Sequence, residues 1–394
     1  MTIFSLTEAE LRQRRSLKWC TYEPDVLPMW VAEMDSAVLP AVRESLDAAL
    51  DRGDTGYPYG TDYADAYRAS AADRWALELA PGQVRNGGDV MNAVLCVLEA
   101  TTDPGDGIVI TAPVYPPFWQ VTSGYRRRTV PVALTAEGRL DLDALSEAFA
   151  APDVTAFLLC SPHNPTGTVH TAEELTAVAE LCTAHGVQLV VDEIHAWLVD
   201  PGTEFVPTLS VPAAQNAAVV TSAGKSWNLA AFKAGLYIVG TEAGALLRNL
   251  PPLAYGSTGH LGAIAHAAAL QQGQDWVDQV CAEIATNKRL LGDLLHALVP
   301  GARYQAQPGT YLAWVDCSEL GLDDPYRHFL KAGRVAFSAG QNFSPDHRQW
   351  VRINLAASPS MITQGVERMA IALRTAQSQA RSVVGSVSRR AGQS

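Results

Sequence analysis

The chain has 394 residues, 48% of them hydrophobic, and a formal net charge of −12. That length exceeds one typical domain, so two are expected, and the apolar content suits a large buried core rather than a disordered chain. The acidic balance argues against nucleic acid or an anionic membrane as partner, and no apolar stretch is long enough to span a bilayer.

The first forty residues read as a short amphipathic helix and an extended, Pro-rich arm. Pro40 to Arg52 is predicted helical. A loop rich in Gly, Tyr, Pro and Asp follows, from Gly53 to Asp62, and then a helix to about Leu79. Gly87-Gly88-Asp89 opens another helix, Val90 to Thr101. From Ile108 to about Val239 strands and helices alternate, the pattern of βαβ units around a parallel sheet. Arg126-Arg127-Arg128, between Gly124-Tyr125 and a short apolar strand, reads as a solvated edge. A long helical stretch is expected around Leu261 to Leu298. The remainder reads as a smaller α+β unit with strands near Tyr311–Val315 and Trp350–Leu355. This gives an α/β fold class with a large domain at 41–285 and a small one from 1–40 and 286–375. The tail, 376–394, is expected to be poorly ordered. The six cysteines show no paired motif and the nine histidines none of the ligand spacings, so no metal site is expected. Buried thiols and the lack of a signal peptide point to the cytoplasm.

Four segments carry chemistry. Ala217-Ala218-Val219-Val220 reads as a buried strand running into Thr221-Ser222-Ala223-Gly224-Lys225. A lysine at the polar end of such a strand fits a Schiff-base nucleophile, its amine kept partly neutral by desolvation; the alternative is a solvated surface lysine. Leu189-Val190-Val191 ends in Asp192, where α/β folds place ligands; the alternative is a turn cap. Phe157-Leu158-Leu159-Cys160 runs into Asn164-Pro165-Thr166-Gly167, which by itself is an ordinary turn. Arg352, inside the alternating strand Trp350–Leu355, needs a planar anionic partner: a substrate carboxylate or a protein acid.

The order Asn-Pro-x-Gly, Asp-x-x-His, Ser-x-x-Lys, Arg-x-Asn resembles the fold-type I pyridoxal phosphate (PLP) enzymes of the class I/II aminotransferase superfamily. The resemblance runs from about Lys18 to about Leu373. Leu27–Asp35, Gly56-Tyr57-Pro58-Tyr59-Gly60, Ala112–Phe118 and Asp192–Ala196 are similar to the MalY/PatB branch, cystathionine β-lyase-like carbon–sulfur lyases. The resemblance implies Lys225 as the catalytic amine, Asp192 beside the pyridine nitrogen and Tyr115 stacked on the ring. It places Asn164 and His195 at the phenolic oxygen. Gly88, Asp89, Val90, Ser222 and Lys233 would hold the phosphate, with Tyr57 reaching across a homodimer interface. Arg352, Asn164, Tyr57, Trp30 and Ala32 would meet an amino-acid substrate. The implied reaction cleaves cystathionine or another cysteine S-conjugate to a thiol, pyruvate and ammonia, with amino-group transfer or another PLP reaction as the alternative.

Several positions depart from the branch. Asp89 replaces an apolar residue, and its carboxylate should turn away from a phosphate, as a helix N-cap. Lys233 stands where many aminotransferases carry arginine. Ala223-Gly224-Lys225-Ser226-Trp227-Asn228 replaces Pro-Ser-Lys-Thr-Phe-Asn. Ser36 replaces a phenylalanine, which would open space for a bulkier sulfur substituent unless a neighbour refills it.

Overall fold

The structure is a computed structural model describing residues 2–391, with the side chains of 253 and 376–391 left aside. The expectation for the tail at 376–394 lies outside the residues described in full. The chain divides into two compact units.

The first unit holds Ser36–Glu283, Gln307–Thr310 and the first three residues. Its centre is a seven-stranded sheet of β1 (Val84–Gly87), β2 (Gly107–Ala112), β3 (Arg128–Ala133), β4 (Val154–Cys160), β5 (Gln188–Asp192), β6 (Ala218–Thr221) and β7 (Gly235–Val239). The spatial order is β1-β7-β6-β5-β4-β2-β3, and β7 alone runs against the others. β4, β5 and β6 are buried almost throughout. A parallel sheet covered on both faces shows water neither side, which is why these strands are unbroken Val, Leu and Ala runs without alternation. The Val90–Thr101 helix supplies one cover, packing Val94, Val97 and Leu98 into a core with Ile110, Leu158, Val190 and Val220. Each such side chain contributes about 1.5–3 kcal/mol when fully buried.

Helix ends follow local sequence. Asp141 accepts from the Ala144 N–H at the start of Leu142–Phe149. Thr171 and Glu174 form a reciprocal capping box at the start of Ala172–His185, and Gly186 ends that helix at φ 68°, a left-handed position where glycine carries no Cβ penalty.

Two expectations change here. The stretch Leu261–Leu298 is two helices, His260–Gln272 and Gln274–Leu298, divided at Gly273. The Trp227 indole Nε1 donates to the Gly273 carbonyl at 2.9 Å. A Cβ at position 273 would lie 2.4 Å from that nitrogen and 2.5 Å from the Ala269 carbonyl oxygen. The break is set by an indole from a distant segment, so helical periodicity does not reveal it. The second change concerns the basic run. Arg126 and Arg128 are exposed, but Arg127 is buried. Its guanidinium donates to the Thr102 hydroxyl at 3.0 Å, to the Thr102 carbonyl at 2.8 Å and to the Tyr125 carbonyl at 2.9 Å, and pairs with Glu99. A buried guanidinium is tolerated when its N–H fork meets this many acceptors.

The second unit holds Phe4–Asp35, Ile284–Ala306 and Tyr311–Ser394. Its sheet is antiparallel: β8 (Arg303–Tyr304), β9 (Leu312–Asp316), β10 (Ser338–Ala339) and β11 (Trp350–Asn354), in the order β10-β11-β9-β8. Val315, Val351, Ile353, Leu295, Phe329 and Met369 share its core. The N-terminal arm contains two one-turn helices, Glu8–Leu11 and Leu17–Cys20. It is fixed by a buried ion pair, Lys18 to Asp35 at 2.7 Å, with Asp35 also accepting from Trp19 Nε1 at 3.1 Å. Leaving either charge alone would cost about 3–5 kcal/mol.

Candidate active site

In the first unit, β6, β5, β4 and β2 are consecutive neighbours. Cys160 pairs in register with Asp192, and Asp192 with Val220, so the strands end at one level. The segments leaving those ends carry Lys225, Asp192 with His195, Asn164 and Tyr115. Strand register, rather than closeness in sequence, assembles them. Carboxyl ends of parallel strands are the usual ligand edge of such sheets.

Asp192 is 2% exposed, and its Oδ1 accepts from the Ile194 N–H at 3.0 Å. Burial pushes its pKa up to about 7, opposed by the Ile194 N–H and by the positive charge of Lys225. Burial dominates because a carboxylate loses its hydration there. Lys225 is half-buried and acts electrostatically on the Asp192 carboxyl. Asn164 and His195 are buried. Tyr115 opens the Pro116–Ser123 helix, half-buried and edge-on to Phe118 at 6.2 Å. The next residue along from Asp192, Glu193, is also buried, with a pKa raised by burial to about 7 and Oε1 accepting from the Thr208 N–H at 2.7 Å.

A second cluster forms where β1 and β7 pair, Gly87 opposite Gly235. Gly88 and Asp89 lead into the Val90–Thr101 helix, and Lys233 precedes β7. A Cβ at Gly88 would lie 2.8 Å from the Ser257 hydroxyl and 3.0 Å from Asn92 Oδ1, so a larger residue would displace those side chains. Asp89 is the helix N-cap, its Oδ1 accepting from the Asn92 N–H at 3.0 Å, as expected from its position. Its other oxygen pairs with Lys233 Nζ at 2.9 Å. The Ser222 hydroxyl donates to the Ala234 carbonyl at 2.7 Å and accepts from the Gly224 N–H at 3.0 Å. Behind it lie His266 Nδ1 at 3.4 Å and the Tyr63 hydroxyl, 3.3 Å from that nitrogen. Burial pulls the His266 pKa down to about 4 and keeps the ring neutral. Sequence reasoning missed Tyr63, His266 and Ser257. They lie on segments remote from Ser222 and Gly88, and no local pattern marks them.

Arg352, Trp30 and Ala32 belong to the second unit. Arg352 is buried on β11. Its Nη2 donates to the Trp30 carbonyl at 3.1 Å and to the Ser338 hydroxyl at 3.3 Å, and its guanidinium lies 4.8 Å over the Phe343 ring. Trp30 Nε1 donates to the Lys18 carbonyl at 3.4 Å, and Ala32 is buried. Asn354 holds the arm, donating to the Val31 and Glu33 carbonyls at 2.7 Å each. Tyr57 stands apart from both clusters in its environment: its ring is 96% exposed. Ser36 is buried, 2% exposed. Among the described residues no group of His, Cys, Asp and Glu could hold a metal ion, and no helix is long and apolar enough to cross a membrane.

The profile of the family "Aminotransferase class I and II" matches residues 24–369. A Mycobacterium tuberculosis protein named "Putative cystathionine beta-lyase" is 44% identical, the match covering 93% of this chain and 97% of that protein. Cystathionine beta-lyase of Corynebacterium glutamicum is 30% identical over 92% and 98% of the two chains. Among solved structures, cystalysin from Treponema denticola, which contains a pyridoxal 5'-phosphate cofactor, superposes with a TM-score of 0.88 at 25% identity, covering 95% of this chain and 99% of that one. The mostly parallel seven-stranded sheet with a smaller sheet-bearing unit is thus the fold-type I architecture, and the chain belongs to the class I and II aminotransferase family.

Proposed function

We propose that the chain is a pyridoxal 5'-phosphate-dependent carbon–sulfur β-lyase acting on cystathionine or another cysteine S-conjugate. The observation that carries this reading is the buried Asp192 carboxyl at the end of β5 under the charge of Lys225. A carboxyl held near pH 7 by burial is one that a nearby cationic ring nitrogen would ionise, so the donor set fits the pyridine end of this cofactor. The helix amino end after Gly88 and the Lys233 ammonium fit its phosphate, and the Ser222 hydroxyl would join them by turning its proton away from the Ala234 carbonyl. The relatives named as cystathionine beta-lyases support the reaction class.

When bound, PLP supplies the electron sink that makes a Cα proton removable. Lys225 would tether the cofactor and then serve as the base at Cα. Asp192 would hold positive charge at the ring nitrogen. Tyr115 would cover the ring face, and Asn164 and His195 would orient its phenolic oxygen. Gly88, Asp89 and Val90 would meet the phosphate through backbone N–H groups. Arg352, preset on Phe343 and Ser338, would take the substrate carboxylate through its planar fork, near Trp30 and Ala32. Proton loss at Cα and departure of the thiolate from Cβ then balance: the Cα–H electrons form the Cα–Cβ double bond, and the C–S pair leaves with sulfur. Water converts the remaining fragment to pyruvate and ammonia. The exposed Tyr57 ring suits a residue that serves a second subunit, which supports a homodimer as the working form; a cytoplasmic location belongs to the same reading.

The test is to incubate PLP-loaded protein with L-cystathionine and with an S-alkyl cysteine and to assay pyruvate and thiol. Equal release of both, abolished in Lys225→Ala, is expected. Normal cofactor absorbance without either product would overturn the lyase reading; glutamate–keto acid exchange would then identify a transferase. Mixing inactive Lys225→Ala and Tyr57→Ala proteins should restore part of the activity if Tyr57 crosses the interface. No recovery on mixing would sink that assignment.

A further inference from the structure

We infer that Asp89 is a positioning residue that competes with the cofactor's phosphate for Lys233 and so weakens the chain's hold on the cofactor; this rests on the PLP reading above. The two carboxylate oxygens of Asp89 have separate tasks. Oδ1 caps the Val90–Thr101 helix through the Asn92 N–H, and Oδ2 binds Lys233 Nζ at 2.9 Å. The ammonium at this cradle therefore comes with its own counter-ion. The pair sums to zero charge, which leaves the helix N–H groups that Asp89 does not cap as the remaining attraction for a phosphate. Lys233 is 64% exposed and Asp89 41%, so solvent screens the pair and little holds it closed against a stronger anion. A phosphate that takes Lys233 must still share the helix end with the Asp89 carboxylate. An arginine could fork to both anions at once; a lysine presents one compact charge.

Asparagine at 89 isolates the charge, because Asn and Asp cap helices about equally well. The experiment titrates cofactor-free protein with PLP and, separately, with pyridoxal, which lacks the phosphate. Wild type, Asp89→Asn, Lys233→Met and the double variant are compared. Asp89→Asn is expected to bind PLP roughly threefold to fivefold more tightly than wild type. The gain should shrink toward about 1 M salt, and pyridoxal affinity should not change. Lys233→Met should bind PLP more weakly, and in that background the gain from Asp89→Asn should be smaller. Unchanged or weaker PLP binding by a folded Asp89→Asn protein would overturn the inference, as would an equal gain for pyridoxal. If Asp89→Asn fails to fold, Asp89→Ser, also a capping residue, carries the same test. A wild-type chain that does not bind PLP at all would overturn the cofactor reading and this inference with it.

Discussion

Asp192 and Asp89 are the same residue type, each in a cluster where the first unit gathers its chemistry, yet their environments drive them in opposite directions. Asp192 is 2% exposed on the end of a central strand, and burial lifts its pKa to about 7. Asp89 sits at a helix start beside an exposed lysine. There, burial pushes its pKa up, but the Lys233 ammonium and the helix N–H groups outweigh it and hold the carboxyl below its ordinary value. The lysines divide in the same way, with Lys225 half-buried and Lys233 exposed. Position along the strand or helix decides which carboxyl is pushed up by burial and which is held down by its partners.

Breaking the buried side of this comparison should have the largest effects. Lys225→Ala should lower pyruvate release by roughly 10^2- to 10^4-fold, the usual worth of a positioned base, in a steady-state assay with added PLP. Asp192→Asn, which keeps shape and removes charge, should cost about 10^2-fold or more in kcat, the scale of losing one preorganised electrostatic partner. Arg352→Lys should spare kcat and raise KM by about tenfold or more, since a lysine cannot reproduce the stacked planar fork. An unchanged KM would assign Arg352 to holding Trp30 and Ser338 in place rather than to the substrate.

A smaller effect sharpens the comparison through pH. The Asp192 carboxyl has a folded pKa above its unfolded one. In the cofactor-free protein its proton therefore contributes stability that is fully present below about pH 4 and is lost as pH rises through about 7. Asp192→Asn should thus be more stable than wild type at pH 8, by at least about 1 kcal/mol in urea denaturation, and the advantage should vanish by about pH 4. An advantage that does not depend on pH would show that the carboxyl is not strained by burial. At Asp89 the corresponding change should leave stability nearly unaltered, because the cap persists and the lost ion pair is solvated, worth under about 1 kcal/mol.

Much of the site was legible because motifs and strands coincide. Lys225, Asp192, Asn164 and Tyr115 each follow an apolar run, and those runs are the adjacent strands β6, β5, β4 and β2. The cap at Asp89 was legible from its place before Val90. The ion pair with Lys233 was not, since it joins residues from β1 and β7 ends that meet only in the sheet. Arg127 reads as solvent-facing in a triple-arginine run, yet Thr102 and Glu99 bury it. The stacking of Arg352 on Phe343 likewise needs two separate segments of the second unit.

Features that depend on neighbours along the chain follow from the residues alone: the α/β order, helix caps at Asp89, Asp141 and Thr171, the buried strands, and the motif series that marks the family. Apolar runs, cap residues and glycines act over a few residues, and their physics is local. Burial, and pairs remote in sequence, come from the packing of distant segments. That packing set the helix break at Gly273 under Trp227 and the burial of Ser36. It placed Tyr63 and His266 behind Ser222, and it shifted the two aspartates' pKa values in opposite directions. Hydration is lost, and counter-ions are found, only when distant segments pack together.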